Sequence, residues 1–125
     1  MDITTEFAKV QFENPFVLAS APPTGDEEKI RRAFDEGWSG AVIKTLMHEP
    51  ARNLTNRFAV RKTGRLVNGF FNLEQVSEKK TEEWLNIIRR LKEDYPEKRI
   101  IGSMMGEAER YDNWKNLALA CQQAG

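Results

Sequence analysis

The chain has one cysteine, Cys121, and one histidine, His48. A lone cysteine makes no internal disulfide, and one Cys with one His cannot complete a structural zinc site, so no metal centre is expected. Charge of one sign is not in excess. Nineteen Lys and Arg stand against nineteen Asp and Glu, a formal net charge of zero over 125 residues. That balance argues against a broadly basic nucleic-acid-binding surface. No apolar run approaches the roughly 18 residues needed to cross a bilayer. The opening Met-Asp-Ile-Thr-Thr-Glu lacks both the basic start and the apolar core of a secretory signal. A glycine-rich phosphate loop of the Rossmann or P-loop kind is also missing. These absences lead us to expect a cytoplasmic protein with neither nucleic acid nor membrane among its partners.

Hydrophobic residues make up 40% of the chain and charged residues 30%, a mix that can bury a core. At 14.4 kDa the length fits one domain, or a piece of one. Phe7, Val10 and Phe12 alternate with Lys9, Gln11 and Glu13, which predicts a short hairpin or half-exposed strand. After the Asn14-Pro15 turn signal, Phe16 to Ala19 form an apolar run of buried-strand length, ended by Pro22-Pro23 and Gly25. Thr24 and Glu27 have capping-box spacing ahead of a helix with Ile30, Ala33 and Phe34 on its stripe. Gly37 is placed to cap its end. A second buried run, Ala41 to Ile43, leads into Lys44-Thr45. A connection from about Leu46 to Val76 follows, longer than the roughly 12–15 residues above which a structureless loop is usually functional or disordered. The next helix covers about Thr81 to Asp94, with Trp84, Ile87, Ile88 and Leu91 at helical spacing and Pro96 beyond it. A third run, Ile100 to Met104, and Gly106 precede a helix from about Tyr111, whose stripe is Trp114, Leu117, Ala118 and Cys121.

The order is βαβαβα after a hairpin, which calls for parallel strands and right-handed crossovers. Ala124-Gly125 reads as a helix cap that should feed a fourth strand. A complete (β/α)8 TIM barrel needs about 250 residues, so residues 1–125 read as a single partial domain, the N-terminal half of such a barrel. The alternative is a small self-contained α/β sandwich.

Each apolar run ends in small or polar residues: Ala19-Ser20, Lys44-Thr45 and Ser103. In parallel α/β folds ligands bind at that edge. Lys44 is the sharpest residue, because a lysine directly after Ala-Val-Ile can stabilise an anionic ligand or, once desolvated, form a Schiff base. The plainer reading is a stem packed on the strand with its head in water. Asn68 and Asn72 flank Gly69-Phe70-Phe71; asparagine can read the amide edge of a flavin or pyrimidine, whereas Asn-Gly is also a common turn former. The turn reading is preferred for Asn68, and Asn72 stays open. Arg52, Arg57, Arg61, Lys62 and Arg65 are read as a solvated surface, His48 is given no role, and Cys121 is read as a small core residue.

Several of these segments together resemble the flavin-binding barrel of the dihydropyrimidine dehydrogenase family, within the wider dihydroorotate dehydrogenase-like group. They are Asn14 to Pro22, Ile30 to Phe34 with Gly37-Trp38, Ile43-Lys44-Thr45, Asn72-Leu73-Glu74, Ser77-Glu78-Lys79, Leu91 to Pro96 and Ser103 to Gly106. The resemblance spans nearly the whole chain. It implies an FMN-dependent oxidoreductase that reduces the 5,6 double bond of uracil or thymine, or runs the reverse. It also implies that Ala19, Ser20, Lys44, Thr45 and Ser103 lie on the flavin side, and that Asn72 bonds flavin or pyrimidine. The family's catalytic cysteine lies in an Asn-x-Ser-Cys-Pro segment after the fourth strand, which this chain does not contain, so no catalytic residue is assigned and Cys121 does not inherit that role. Iron–sulfur clusters and NAD(P)H would enter only through parts or partners outside the chain, in a parent that is a homo-oligomer or has a partner subunit. Where relatives tend to show Ser-Pro-Arg, this chain has Thr55-Asn56-Arg57. The chain alone is expected to be inactive. Rival readings are dihydroorotate dehydrogenase-type activity, a Schiff-base lyase using Lys44, and a non-catalytic half-barrel that assembles through its open sheet edge.

Overall fold

A computed structural model describes residues 2–53 and 58–125; Thr55, Asn56 and Arg57 lie outside the described residues. The chain opens with the antiparallel hairpin β1 (Thr5–Phe7) and β2 (Val10–Phe12). Ala8 and Lys9 make its turn with φ of 51° and 64°, the left-handed pair of a tight hairpin turn. The hairpin delivers Phe12 to the base of the sheet, where its ring is buried.

Three strands then lie side by side in parallel: β3 (Val17–Leu18), β4 (Gly40–Val42) and β8 (Arg99–Ile101). Gly40 is opposite both Val17 and Arg99. Beyond this ladder β5 (Leu46–Met47) pairs in parallel with β9 (Met104–Met105). The amides of Ile43 and Leu46 donate to the carbonyls of Ile101 and Ser103, at 3.0 and 2.8 Å. The two chain paths therefore stay side by side while the regular ladder breaks at Lys44-Thr45 and Gly102-Ser103. The first apolar run is only half-buried, and Phe16 at its start is 59% exposed.

Helix α1 (Glu27–Asp35) is capped by Asp26, whose carboxylate accepts from the Lys29 amide at 2.9 Å. The expected capping by Thr24 is thus corrected: Asp26 stands closer to the first helical turn, and an acidic side chain there also complements the helix dipole. Gly37, at φ 93°, ends the helix as expected, with its amide donating to Phe34 and that of Trp38 donating to Ala33. This double bond pattern needs a left-handed residue that glycine adopts without a Cβ clash. Helix α2 (Thr81–Asp94) buries Trp84, Ile87, Ile88 and Leu91, the stripe read from sequence. They pack with Ile30, Phe34, Ala41, Ile43, Leu46 and Ala124 into one core. Helix α3 (Tyr111–Ala124) buries Leu117 and Ala124 and half-buries Cys121, while Ala118 and Trp114 are exposed. Its buried face is therefore narrower than the predicted stripe, because the Trp114 indole turns back over Gly106 and donates to the Glu107 carbonyl at 3.2 Å.

The stretch from Leu46 to Val76, expected as a long irregular connection, carries β5 and an antiparallel ribbon of β6 (Phe58–Thr63) and β7 (Leu66–Asn72). Asn68 is a strand residue whose side-chain Nδ2 donates to Thr63 Oγ1 at 2.7 Å, so it does not form the turn. The turn lies at Gly64-Arg65, where Gly64 has φ 62°.

Glu27 joins the two outer helices by accepting from both Arg90 and Arg31, and Arg31 also reaches Asp94 at 2.7 Å. The Arg90 guanidinium first, and Arg31 after it, hold the Glu27 carboxyl below the usual carboxylate range. A depressed carboxylate contributes stability above its unfolded-state value and loses it as pH falls through the folded one. Urea midpoints measured below the ordinary Glu range should fall less steeply with acid in Glu27→Gln than in the parent.

Gly40 has no room for a side chain: a Cβ there would sit 2.7 Å from the Arg99 carbonyl oxygen and 3.3 Å from the Phe12 ring. Gly40→Ala should lower unfolding free energy by about 1–3 kcal/mol, the usual penalty for overpacking, read by urea denaturation followed through tryptophan fluorescence.

Candidate functional site

Ser20, Thr45 and Ser103 follow three neighbouring strand paths, and the structure joins their side chains in one row. Ser20 Oγ lies 3.3 Å from Thr45 Oγ1, which lies 2.9 Å from Ser103 Oγ. All three are half-buried. The row forms because the ladder breaks there: residues that would alternate across a regular strand turn toward one rim instead. A hydroxyl can both donate and accept, so the row presents adaptable partners along the C-terminal edge of the sheet.

Thr24, fully buried, organises the first crossing. Its hydroxyl lies within hydrogen-bond distance of the Ala19 and Ala21 carbonyls and of the Ala21 amide, and its own carbonyl accepts from the Lys44 amide at 3.2 Å. Ala19 is exposed. The Lys44 ammonium is directed to Glu74, with Nζ 3.2 Å from Oε1 and only 12% and 11% of the two side chains exposed. An ammonium has three donors, and this bond occupies one. Both side chains face a cleft of about 510 Å³ between the starts of α1 and α2, lined also by Asp26, Lys29, Ser77 and Lys79. The Lys44 amine thus sits, largely buried, against a carboxylate.

Glu74 and its surroundings are held by two polar anchors. The Ser77 amide donates to the Thr45 carbonyl at 2.8 Å, and buried Ser77 Oγ accepts from Trp84 Nε1 at 2.7 Å and from the Lys79 amide at 3.1 Å. Asn53 accepts from the Gln75 amide and donates to the Val76 carbonyl. Asn72, at the end of β7 opposite Phe58, is exposed and shares no hydrogen bond with the hydroxyl row. The structure thus brings Ser20, Thr45 and Ser103 together, seats Lys44 beside them in the chain and leaves Asn72 at the ribbon base.

Glu74, Thr24, Ser77 and Asn53 were not singled out as site residues by the sequence reading. Glu74 had the clearest signal, lying two residues after Asn72 within a segment already of interest. His48 is exposed. Burial pushes the Cys121 thiol up, and Cys121 packs against the core and beside Gly102, as a core residue would. Among the described residues no cluster of three or more His, Cys, Asp or Glu could hold a metal ion, and no helix is long and apolar enough to cross a membrane.

Fold and rim together define an α/β protein of parallel-strand type with a polar C-terminal strand edge. The chain is 42% identical over 127 residues to the NAD-dependent dihydropyrimidine dehydrogenase subunit PreA of Escherichia coli K12, a match covering 99% of this chain and 30% of that protein. It is 33% identical over 132 residues to the chloroplastic dihydropyrimidine dehydrogenase (NADP(+)) of Arabidopsis thaliana, covering 99% and 31%. The catalytic subunit of dihydroorotate dehydrogenase B (NAD(+)) of Pyrococcus furiosus is 37% identical over 68 residues, 54% of this chain. No protein-family model matches. The chain is thus a relative of the dihydropyrimidine dehydrogenases along its whole length, as the resemblance implied, and it spans about 30% of the length of the E. coli relative.

Ser77→Ala would strand the Trp84 indole N–H in the core. An unfolding free energy lower by about 1–3 kcal/mol is expected, and Ser77→Thr, which keeps the hydroxyl, should recover part of it in the same denaturation assay.

Proposed function

We propose that the chain is part of an FMN-dependent oxidoreductase that reduces the 5,6 double bond of a pyrimidine, or catalyses the reverse. In this reading residues 1–125 are the N-terminal half of a (β/α)8 barrel and supply one wall of its flavin site. The observation that carries it is the hydroxyl row of Ser20, Thr45 and Ser103 at the ends of three parallel strand paths, with Lys44 next to Thr45 in the chain and its ammonium on Glu74. Those residues fit the group: the hydroxyls can meet ring heteroatoms of either hydrogen-bonding sense, and Lys44 keeps donors beyond the one used by Glu74.

When bound, FMN supplies hydride transfer to or from the pyrimidine. Ala19, with its small side chain, lets a planar ring approach the first strand end. Ser20, Thr45 and Ser103 hold and orient ring heteroatoms at the rim. Lys44 would offset negative charge on a reduced flavin bound there, and Glu74 holds the ammonium in place. Asn72 offers a donor and an acceptor to the amide edge of a pyrimidine. Iron–sulfur and nicotinamide chemistry belongs to regions or a partner subunit outside this chain, in keeping with the subunit name of the E. coli relative. The partial match to dihydroorotate dehydrogenase B favours, as a second reading, a closely related pyrimidine acid as substrate.

In a full-length protein carrying this sequence, Lys44→Ala should slow pyrimidine-dependent flavin reduction on the order of 10²-fold or more, the scale seen when one electrostatic stabiliser is removed, with circular dichroism unchanged. An unaltered rate in stopped-flow absorbance would remove Lys44 from the mechanism. The 125-residue chain alone should give no such reduction, and turnover by it would contradict the partial-site reading.

A further inference from the structure

Glu74 belongs to a stretch of chain without regular secondary structure, between the end of β7 and the start of α2. No ladder or helical turn fixes its backbone. Its side chain is nevertheless only 11% exposed and set against Lys44 Nζ at 3.2 Å. Residues 74–78 are held instead by polar bonds from two other parts of the chain, and one side chain stands at their centre.

Asn53, half-buried, precedes the ribbon in the chain and meets the segment that follows it. Its Oδ1 accepts from the Gln75 amide at 2.9 Å, and its Nδ2 donates to the Val76 carbonyl at 3.2 Å. A primary amide carries acceptor and donors in one plane, so it stands in for a neighbouring strand's peptide group at the two residues directly after Glu74. The backbone adds to the grip. The Asn53 amide donates to Glu78 Oε1 at 3.0 Å, the Ala51 amide to the Ser77 carbonyl at 3.1 Å, and the Ser77 amide to the Thr45 carbonyl at 2.8 Å. Residues 75–78 are thereby sewn between the chain just after Lys44 and the chain at 51–53. Asn53 also lines the cleft that Lys44, Glu74 and Ser77 face.

We propose that Asn53 is a positioning residue: it fixes the backbone that carries Glu74 and, through Glu74, the place of the Lys44 ammonium. The proposal rests on the reading of Lys44 as the cation beside a flavin, but the clasp itself belongs to this chain alone. A lysine–glutamate pair must order two long side chains, and a fixed backbone under one of them lowers that cost. Placement matters to rate, since a shift of about 1 Å in a reacting arrangement can cost on the order of 10²-fold. Other side chains at position 53 lose the clasp. Aspartate turns a second acceptor toward the Val76 carbonyl, and alanine offers neither partner.

Acetic anhydride labelling of the 125-residue chain, read at each lysine by mass spectrometry, tests the clasp without flavin. Lys44 should react at least about fivefold faster in Asn53→Ala than in the parent. Asn53→Ser, whose hydroxyl can keep one of the two bonds, should fall between. Lys92, bonded to the Pro96 and Lys98 carbonyls from the last turn of α2, should label equally in all three. In a full-length protein carrying this sequence, Asn53→Ala should slow pyrimidine-dependent flavin reduction about tenfold or more, with half-saturation by pyrimidine changed less than about twofold. In a Lys44→Ala background it should slow reduction no further, because a positioning residue acts only through its target. Unchanged Lys44 labelling, a parallel rise at Lys92, or a further loss of rate in the Lys44→Ala background would overturn the proposal. Faster Lys44 labelling together with a parental rate in Lys44→Ala would uphold the clasp and remove the flavin role of Lys44 instead.

Discussion

The rest of the structure depends on β4 being gripped from both sides in parallel. Two of its three residues pair with β3 and all three with β8, and the first of them, Gly40, approaches so closely that even a methyl group would strike the Arg99 carbonyl. A strand so enclosed has no free edge and little freedom to shift register. Ala41 and Ile43 are consequently fully buried against α1 and α2, and the residues that follow leave the sheet at one defined place. Helix packing reinforces this from outside, through Glu27 held between Arg31 and Arg90.

The same constraint makes the rim. Because the paths through Ile43 to Leu46 and Ile101 to Met104 remain bonded while the regular ladder lapses, Thr45 and Ser103 emerge side by side and Ser20 joins from the first strand. Thr24 and Ser77 act as the two fasteners. One ties the turn after β3 to the Lys44 amide, and the other ties the start of α2 to the Thr45 carbonyl. Lys44 is then presented by a backbone fixed at both neighbours, and its long side chain is held by Glu74. Preorganisation of this kind is what lets a charged group act on a ligand without first having to be ordered.

Much of this was legible in the residues. The 3.6-residue stripe of Trp84, Ile87, Ile88 and Leu91 is strong because burial acts on every one of its members, and Gly37 announced a helix end that only a left-handed residue completes. Polar residues closing three apolar runs pointed to one edge, where the hydroxyls do meet. Less was legible where burial does not select the residues. The β6–β7 ribbon is held by local pairing and exposed on both faces, so it leaves no one-sided alternation to find. Thr24 has the spacing of a cap, but Asp26 competes for that position and wins. The pairing of Lys44 with Glu74 joins distant parts of the chain, and neither residue type signals its partner. On α3 the expected stripe was too wide because Trp114 folds back over Gly106 instead of into the core.

The central proposal is that the hydroxyl row of Ser20, Thr45 and Ser103 at the C-terminal edge of the three-stranded parallel sheet, together with the neighbouring Lys44, faces a ligand. Titration of isotope-labelled chain with FMN, followed by amide chemical shifts, tests it most directly. The account predicts shifts gathered at those four residues and their immediate neighbours. Shifts confined to the β1–β2 hairpin or the outer faces of the helices, or none at millimolar flavin, would contradict it.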